Sequence, residues 1–459
     1  MNNKNIYLRL IITVSVFMVF LFTNEYSHVL YGDADGYWNL SVKFFKSFSH
    51  GEQFSLYNFN SPLRGYLYPL SLLPAYVFCY LTKIPIVWIA KLLGVFWATL
   101  LFAWVLPRFW NSLTGRAHSY SIVSFMAMVI FIVWSWGDYF SFTLTDFPAF
   151  TLFLLSLLWL RSGKSGVAWL LSGISLAAAL NFRPIYLAAI PGVGLLFMYS
   201  LIKIEKNRIL YAIYFLAGTS LVLVPQFLIN IHSFNAHSPF VLGYYNNSPL
   251  YQWHLAWGLK VQKFESAIVE PVTNIKLVVT HDVIGNRLLQ SITGGKAFAS
   301  IHQYVLALLS HPIDFICLFA RHLFCNLDIR YNAPYLLRVN DKGTAFFITN
   351  FSILFLGMVM LKRIRFKLVV IFQLIALAAV VIAALPLVVE PRFVMPLHLL
   401  LVAAAILGTT PQVWWRFLKK SSSARNQLMV SYCIWMAGCL MLAGYANNQI
   451  SFEPIGFFR

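Results

Sequence analysis

The sequence predicts an all-α, polytopic transmembrane protein, and its composition is the first reason. Of 459 residues, 59% are hydrophobic and only 11% are charged, whereas a soluble globular protein carries about 25% charged residues. The apolar residues fall into blocks of roughly 17 to 25, which is the length that a helix needs to cross a bilayer. These blocks recur from end to end and lack a polar face, so an all-helical soluble protein is a poor alternative.

The distribution of charge predicts the orientation. The chain has 34 Lys and Arg against 15 Asp and Glu, a formal net charge of +19. Short cytoplasmic loops gather Lys and Arg, so Lys4 and Arg9 place the N-terminus in the cytoplasm. The basic segments 362–367 and 416–425 place two later loops there as well. Other basic residues fall on the outer side and favour an anionic lipid or phosphate partner. Because they are scattered over loops, they do not favour nucleic acid.

Read in order, the apolar blocks predict about eleven crossings and three regions. Residues 1–230 form an N-terminal transmembrane module with a long first outer loop at 24–65. Residues 66–106 count as one net crossing, in which 66–82 is a partly inserted helix. A larger extracytoplasmic region covers 231–345, and residues 346–459 return to the membrane. The remaining spans are predicted near 6–22, 119–136, 147–160, 167–182, 184–202, 209–230, 346–361, 368–388, 393–410 and 427–446.

Within the large outer region, HPIDFICLFARHLF at His311–Phe324 has the pattern of an amphipathic helix. We expect Arg321 and His322 on its wet side.

Acidic residues are scarce, and several of them lie at the ends of apolar blocks. A single acid there can be an interfacial residue in water. Several on one side of the membrane, with arginines beside them, favour a shared polar site. By the predicted topology the outer side holds Asp33, Asp35, Asp138, Asp146 and Glu390, together with Arg64, Arg183 and Arg392.

The stretch YGDADGYW, Tyr31–Trp38, follows the first apolar run. Gly32 and Gly36 permit a tight turn, and two carboxylates lie between them. Asp33 and Asp35 could chelate a divalent cation such as Mg²⁺ or Mn²⁺ through hard oxygen ligands. Alternatively, one of them is a general base for an acceptor hydroxyl or amine. The spacing alone leaves both interpretations open.

The ordered set of motifs resembles the GT-C fold of integral-membrane glycosyltransferases, and within it the protein O-mannosyltransferase and aminoarabinose transferase group. The resemblance covers most of the chain, more in its layout than in its residues. It rests on GDADGY in the first outer loop, RGYLYPL at 64–70, TLTDFPAF at 143–150, NFRP at 181–184, the helix at 311–324 and EPRFVMPLHLLL at 390–401.

The resemblance implies an enzyme that moves a sugar from a polyprenyl-phosphate donor to an extracytoplasmic glycan, lipid or protein. Asp33, four residues before Tyr37, matches the catalytic acid of the family, and Asp35 is a second acid there. Many protein O-mannosyltransferases carry adjacent Asp and Glu, which this sequence lacks, and that disfavours a protein acceptor. The implied substrate- and phosphate-binding residues are Tyr37, Arg64, Tyr66, Asp146, Arg183, Glu390 and Arg392. The implied location is a bacterial inner membrane with the active site outside.

Two other functions fit a polytopic chain. An O-antigen polymerase or ligase also has a large outer loop with arginines, but it gives no reason for acids directly after the first span. A lipid flippase or transporter would show internal repeats or charges near the middle of the membrane, and we find neither pattern.

Overall fold

The computed structural model is mostly helical. It describes residues 3–26, 29–48, 51–115, 121–163, 165–204, 206–245, 248–270, 274–331, 333–339, 341–409 and 422–454. Part of the predicted inner basic segment 416–425 lies outside these residues.

The helices of the first half are α1 Asn3–Thr23, α2 Gly32–Val42, α3 Leu67–Thr82, α4 Ile86–Ala98, α5 Leu106–Thr114, α6 Ile122–Trp136, α7 Asp146–Ser162, α8 Gly166–Phe182, α9 Ile190–Ile202 and α10 Arg208–Phe234. Those of the second half are α11 Leu250–Lys260, α12 Val283–Thr293, α13 Ile301–Ser310, α14 Pro312–Leu327, α15 Gly343–Leu361, α16 Leu368–Ala384, α17 Met395–Gly408 and α18 Ser422–Asn447. A π-helical segment, Thr99–Val105, joins α4 to α5.

Seven helical segments of the described chain are long and apolar enough to cross a membrane, or eight if the bent pair α13 and α14 forms one span. This supports an integral membrane protein, while the count of eleven crossings stays a prediction. The seven segments are Ile6–Thr23, Ile86–Thr114, Ile122–Ser141, Pro184–Ile202, Arg208–Phe234, Gly343–Leu361 and Arg425–Asn447. Shorter apolar helices are Leu67–Thr82, Gly166–Phe182, Leu368–Ala384 and Met395–Gly408.

Helices α7 and α8 form a hairpin that brings two separate chain positions to the same end of the bundle. Gly163 ends α7 in the left-handed conformation, and the Ser165 hydroxyl caps α8 by accepting the N–H of Ala168. Both helices are 17 residues long. The start of α7 and the end of α8 therefore lie at the same end of the bundle.

Small residues let α8 and α10 pack at close range. A Cβ atom on Gly173 would lie 2.1 Å from the Phe215 carbonyl oxygen, and one on Gly218 would lie 2.1 Å from that of Leu170. Such reciprocal glycine contacts are the means by which membrane helices approach without a hydrophobic driving force. They fix α10 against the α7–α8 hairpin.

The chain also contains strands, most of them within residues 231–345, that the all-α expectation did not include. A two-stranded hairpin joins β1 Tyr244–Tyr245 to β2 Ser248–Pro249. A four-stranded sheet has the order β5-β3-β4-β6. Its strands are β3 Val261–Ile268, β4 Lys276–His281, β5 Tyr335–Leu336 and β6 Ile450–Pro454. All pairs are antiparallel except β3 with β5. The segment after the last membrane helix thus completes a sheet that begins some 200 residues earlier.

The helix predicted at 311–324 is present as α14, but its predicted wet side is wrong. His322 is fully buried, and its Nδ1 lies 2.6 Å from the Leu385 carbonyl oxygen. Arg321 forms an ion pair of 2.8 Å with Asp282. This face of α14 packs against neighbouring segments of the protein, which the periodicity of a single helix does not reveal.

Basic residues gather at the end of the bundle opposite to the start of α7. Arg161, in the last turn of α7, donates a hydrogen bond of 3.0 Å to Gln373. The N–H of Arg365 bonds to the Leu113 carbonyl, and Arg363 bonds to that of Gly408, where α5 and α17 end. The two ends of the bundle therefore differ in chemical character.

Candidate functional site

Six charged side chains from five separate parts of the sequence form one cluster of ion pairs. They are Asp33, Arg64, Asp146, Arg183, Glu390 and Arg392. The sequence predicted all six as site residues. We call this set the charged cluster. It contains three carboxylates and three guanidinium groups, so its formal charges balance.

Asp33 and Arg64 form the accessible edge of the charged cluster. Arg64 Nη2 donates a hydrogen bond of 2.6 Å to Asp33 Oδ1. Their side chains are 32% and 26% exposed, respectively, whereas the other four are at most 18% exposed. Asp33 Oδ2 lies 3.8 Å from Arg392 Nη2, which is beyond hydrogen-bonding distance. This oxygen is therefore placed to meet a ligand.

Arg392 is the centre of the charged cluster. Its Nε lies 2.5 Å from Glu390 Oε2 and its Nη1 lies 3.3 Å from Asp146 Oδ2. With Asp33 as a third neighbour, it faces all three carboxylates. A guanidinium group fits this position because it presents five N–H donors in a fixed plane. It organises the carboxylates at the expense of its own capacity to bind a further anion.

The α7–α8 hairpin supplies the next ion pair. Asp146 lies in the first turn of α7 and Arg183 directly follows α8, and the two side chains form a close ion pair. The Arg183 guanidinium also lies over the Phe393 ring at 5.0 Å. An acid is favourable at a helix N-terminus in any case, so Asp146 has a structural role as well as a place in the cluster.

The arginines keep Asp33 ionised. Burial alone raises its pKa, but the charges of Arg64, Arg392 and Arg183 outweigh burial and hold the pKa of Asp33 below its usual value. At neutral pH the residue is therefore a carboxylate that can accept a proton.

Asp35 lies outside the charged cluster. The tight turn predicted at Gly32 and Gly36 is instead the first turns of α2. Residues two apart on a helix point about 200° from each other, and Asp35 is exposed and accepts a hydrogen bond of 2.8 Å from Asn39. No group of three or more His, Cys, Asp or Glu side chains suited to a metal ion occurs among the described residues. The predicted Asp33 and Asp35 pair therefore does not fit one Mg²⁺ or Mn²⁺ ion.

The two predicted tyrosines have different positions. The Tyr37 ring lies under the Arg64 guanidinium at 5.3 Å, and its hydroxyl lies 3.3 Å from the hydroxyl of Thr145, the neighbour of Asp146. Tyr37 therefore supports the charged cluster directly. Tyr66 instead bonds to the Val222 carbonyl in α10 at 3.2 Å and is buried. It anchors the chain after Arg64 and does not reach the ion pairs.

Tyr335 is a residue of the site that the sequence did not reveal. Its hydroxyl oxygen accepts the backbone N–H of Asp33 at 2.7 Å. Burial and then the charge of Asp33 raise the pKa of Tyr335, so the phenol stays protonated. Gly32 has a φ of +51°, and a Cβ atom there would lie 2.5 Å from the Tyr335 hydroxyl oxygen. Tyr335 lies 302 positions from Asp33, and no local pattern links the two.

Asn181 and Gln226 hold the chain segment that carries Arg64. Asn181 Oδ1 accepts the N–H of Leu67 at 3.0 Å, and Asn181 Nδ2 donates to Gln226 Oε1 at 2.9 Å. Gln226 Oε1 also accepts the N–H of Tyr66 at 3.2 Å. Both amides are buried. Asn181 stands two residues before Arg183, so one network positions two arginines of the charged cluster.

Comparisons of this chain with known proteins give no match. The chain matches no protein-family model, no curated protein and no solved structure.

Proposed function

We propose that the charged cluster transfers a sugar from a polyprenyl-phosphate donor to an acceptor on the extracytoplasmic side of a membrane. The observation that carries the proposal is the pairing of Asp33 with Arg64 at the accessible edge of the cluster. A carboxylate there can take a proton, and a guanidinium group beside it can bind a phosphate. These are the two demands of displacement at an anomeric carbon bonded to phosphate.

The proposed step is a single displacement with inversion. The acceptor hydroxyl or amine gives its proton to Asp33 Oδ2, and its oxygen or nitrogen forms a bond to the anomeric carbon. The bond from that carbon to the phosphate oxygen breaks, and the electron pair leaves with the polyprenyl phosphate. One carboxylate is sufficient, because no covalent intermediate forms.

Arg64 and Arg183 are the proposed phosphate ligands. Each uses only its Nη2 in the ion pairs described, which leaves most of its five N–H donors for phosphate oxygens. Arg392 faces three carboxylates and instead holds the cluster together.

Donor binding would also strengthen the base. Phosphate bound to Arg64 competes with Asp33 for the same guanidinium group, and Arg64 is the strongest of the charges that lower the pKa of Asp33. Once that charge is shared, the pKa of Asp33 rises and the carboxylate becomes a better proton acceptor. The order of events is then donor first and proton transfer second.

The proposed orientation follows from the two ends of the bundle. Basic residues concentrate at cytoplasmic ends of membrane helices, and here they lie opposite to the charged cluster. We therefore place the cluster outside and the N-terminus in the cytoplasm, in a bacterial inner membrane. The acceptor class stays open among glycan, lipid and protein.

The direct test is transfer by the purified protein. We would incubate it with radiolabelled polyprenyl-phosphate mannose, glucose or aminoarabinose and extracted cell-envelope acceptors, and follow the label. We expect labelled acceptor and released polyprenyl phosphate, with transfer kept in Glu52→Gln, an exposed acid of the same outer loop. No transfer from any of these donors, together with movement of the lipid between leaflets of reconstituted vesicles, would indicate a flippase instead.

A further inference from the structure

His254, in the first turns of α11, lies between two chain segments that lead into the charged cluster, one before Arg64 and one before Glu390. The N–H of Gly243 bonds to the Pro62 carbonyl at 2.8 Å, and the N–H of Leu250, the first residue of α11, bonds to the Gly243 carbonyl at 2.9 Å. On the other side, the N–H of Val388 bonds to the His254 carbonyl at 3.0 Å. Pro62 precedes Arg64 by two residues and Val388 precedes Glu390 by two. The first turns of α11 are therefore held beside both.

The imidazole of His254 has a buried atom with no partner. Its Nδ1 makes no hydrogen bond within the described residues and has almost no exposed surface. A buried donor or acceptor left unpaired typically costs about 1 to 3 kcal/mol, so such an atom requires an explanation. The ring itself is held in place by Trp257, at a centroid distance of 5.1 Å.

The surroundings of His254 limit what its partner can be. Burial lowers the pKa of His254, and the charges of Arg183, Arg64 and Arg392 lower it further, to about 4. The ring is therefore neutral at physiological pH, and its Nδ1 is either a lone pair or an N–H group. The three arginines are donors with no acceptor atom, and two of them, Arg64 and Arg183, are the proposed phosphate ligands. A sugar hydroxyl fits both tautomers, because it donates and accepts.

We propose that His254 Nδ1 forms a hydrogen bond with a hydroxyl of the donor sugar. This inference rests on the proposed function, since it is the phosphate bound at Arg64 and Arg183 that brings the sugar to this place. The sugar is bonded directly to that phosphate, so its ring must lie beside the arginines, where His254 also lies. Trp253 and Trp257, with centroids 6.2 Å apart, would give the same sugar an apolar wall.

The test compares three probes on the purified protein: bare polyprenyl phosphate, polyprenyl-phosphate mannose and polyprenyl-phosphate aminoarabinose. His254→Phe keeps a ring and removes both nitrogens. We expect it to weaken binding of at least one sugar-bearing probe about tenfold, the loss of one buried hydrogen bond, and to leave bare polyprenyl phosphate unchanged. His254→Asn, whose amide can occupy the place of Nδ1, should recover most of the affinity. His302→Phe, at an exposed histidine, should change nothing.

Each other outcome overturns the inference in a recognisable way. If the parent binds the sugar-bearing probes no more tightly than bare polyprenyl phosphate, or if His254→Phe binds all three as the parent does, the sugar does not contact His254. If sugar binding is unchanged but transfer is slower, the partner belongs to the acceptor. If the parent binds none of the probes, the proposed function itself fails. Unfolding temperatures of the variants show whether Phe is tolerated. If it is not, His254→Ala, which also removes both nitrogens, takes its place, and parental sugar binding by that variant overturns the inference.

Discussion

The Asp33 carboxylate and the Arg64 guanidinium lie 2.6 Å apart although 31 positions separate them in the chain. Asp33 lies in the first turn of α2 and Arg64 lies three residues before α3, so their ion pair closes the chain segment between the two helices. The same pair forms the exposed edge of the charged cluster. A structural constraint and the proposed chemistry therefore depend on the same two side chains.

The close contact between Gly32 and Tyr335 predicts that a single methyl group disturbs the site. Gly32→Ala places a Cβ atom 2.5 Å from the Tyr335 hydroxyl oxygen at a φ of +51°, so the start of α2 must shift and take Asp33 with it. We expect a loss of about 1 to 3 kcal/mol in stability and transfer reduced at least tenfold. Thermal unfolding in detergent and the transfer assay measure both.

Gly36 provides the matched control for this variant. It lies in the same helix, and a Cβ atom there meets nothing within 4 Å. Gly36→Ala should be neutral or stabilise the protein by up to about 1 kcal/mol. If the two alanine variants behave alike, Tyr335 does not position Asp33.

Arg64 is expected to control donor affinity. Arg64→Ala removes charge-assisted hydrogen bonds to the phosphate, and we expect binding to weaken by about 1.5 to 3 kcal/mol. Arg64→Lys should restore only part of it, because an ammonium group cannot form the bidentate contact. Affinity for bare polyprenyl phosphate measures the effect. Parental affinity in the alanine variant would place the phosphate elsewhere.

Arg392 is expected to control stability more than affinity. Arg392→Ala leaves Asp146 and Glu390 without their shared partner, and breaking a buried ion pair from one side typically costs about 3 to 5 kcal/mol. The unfolding temperature should fall more in this variant than in Arg64→Ala, whose ion pair is partly exposed. Equal losses in the two variants would show that Arg392 is not the centre of the cluster.

Sequence alone was a good guide to the members of the charged cluster and a poor guide to their geometry. Charged residues at the ends of apolar blocks are costly unless they meet, which is why Asp33, Asp146 and Arg392 could be predicted together. For Asp35, the sequence predicts the wrong local structure: the two flanking glycines suggest a turn, whereas α2 begins there. Its position on the opposite side of that helix separates it from Asp33.

Long-range contacts explain the other differences. Tyr335 reaches Asp33 through β5, a two-residue strand with no periodicity to detect. The amphipathic pattern of α14 predicts His322 in water, but this face of the helix packs against Asp282 and the Leu385 carbonyl. In the sequence, Gly32 suggests a turn. Only the fold shows that the Tyr335 side chain occupies the space beside Gly32.

The orientation can be tested independently of any activity. In a variant with Cys317 and Cys433 replaced by serine, we would introduce Lys206→Cys at the basic end and Lys276→Cys in β4, both exposed positions. Because basic ends face the cytoplasm, a membrane-impermeant thiol reagent should label only the second in intact cells. Labelling of the first would invert the proposed topology and put the charged cluster inside.

The most direct test of the account measures donor binding and sugar transfer together in Asp33→Asn. The amide keeps the shape of the carboxylate but cannot take a proton, and a general base typically contributes about 10² to 10⁴ in rate. We expect this variant to bind polyprenyl-phosphate sugar about as well as the parent and to transfer it at least 100-fold more slowly. Asp35→Asn, two residues away and outside the cluster, should keep most of its activity. Transfer by Asp33→Asn at the parental rate would contradict the proposed mechanism.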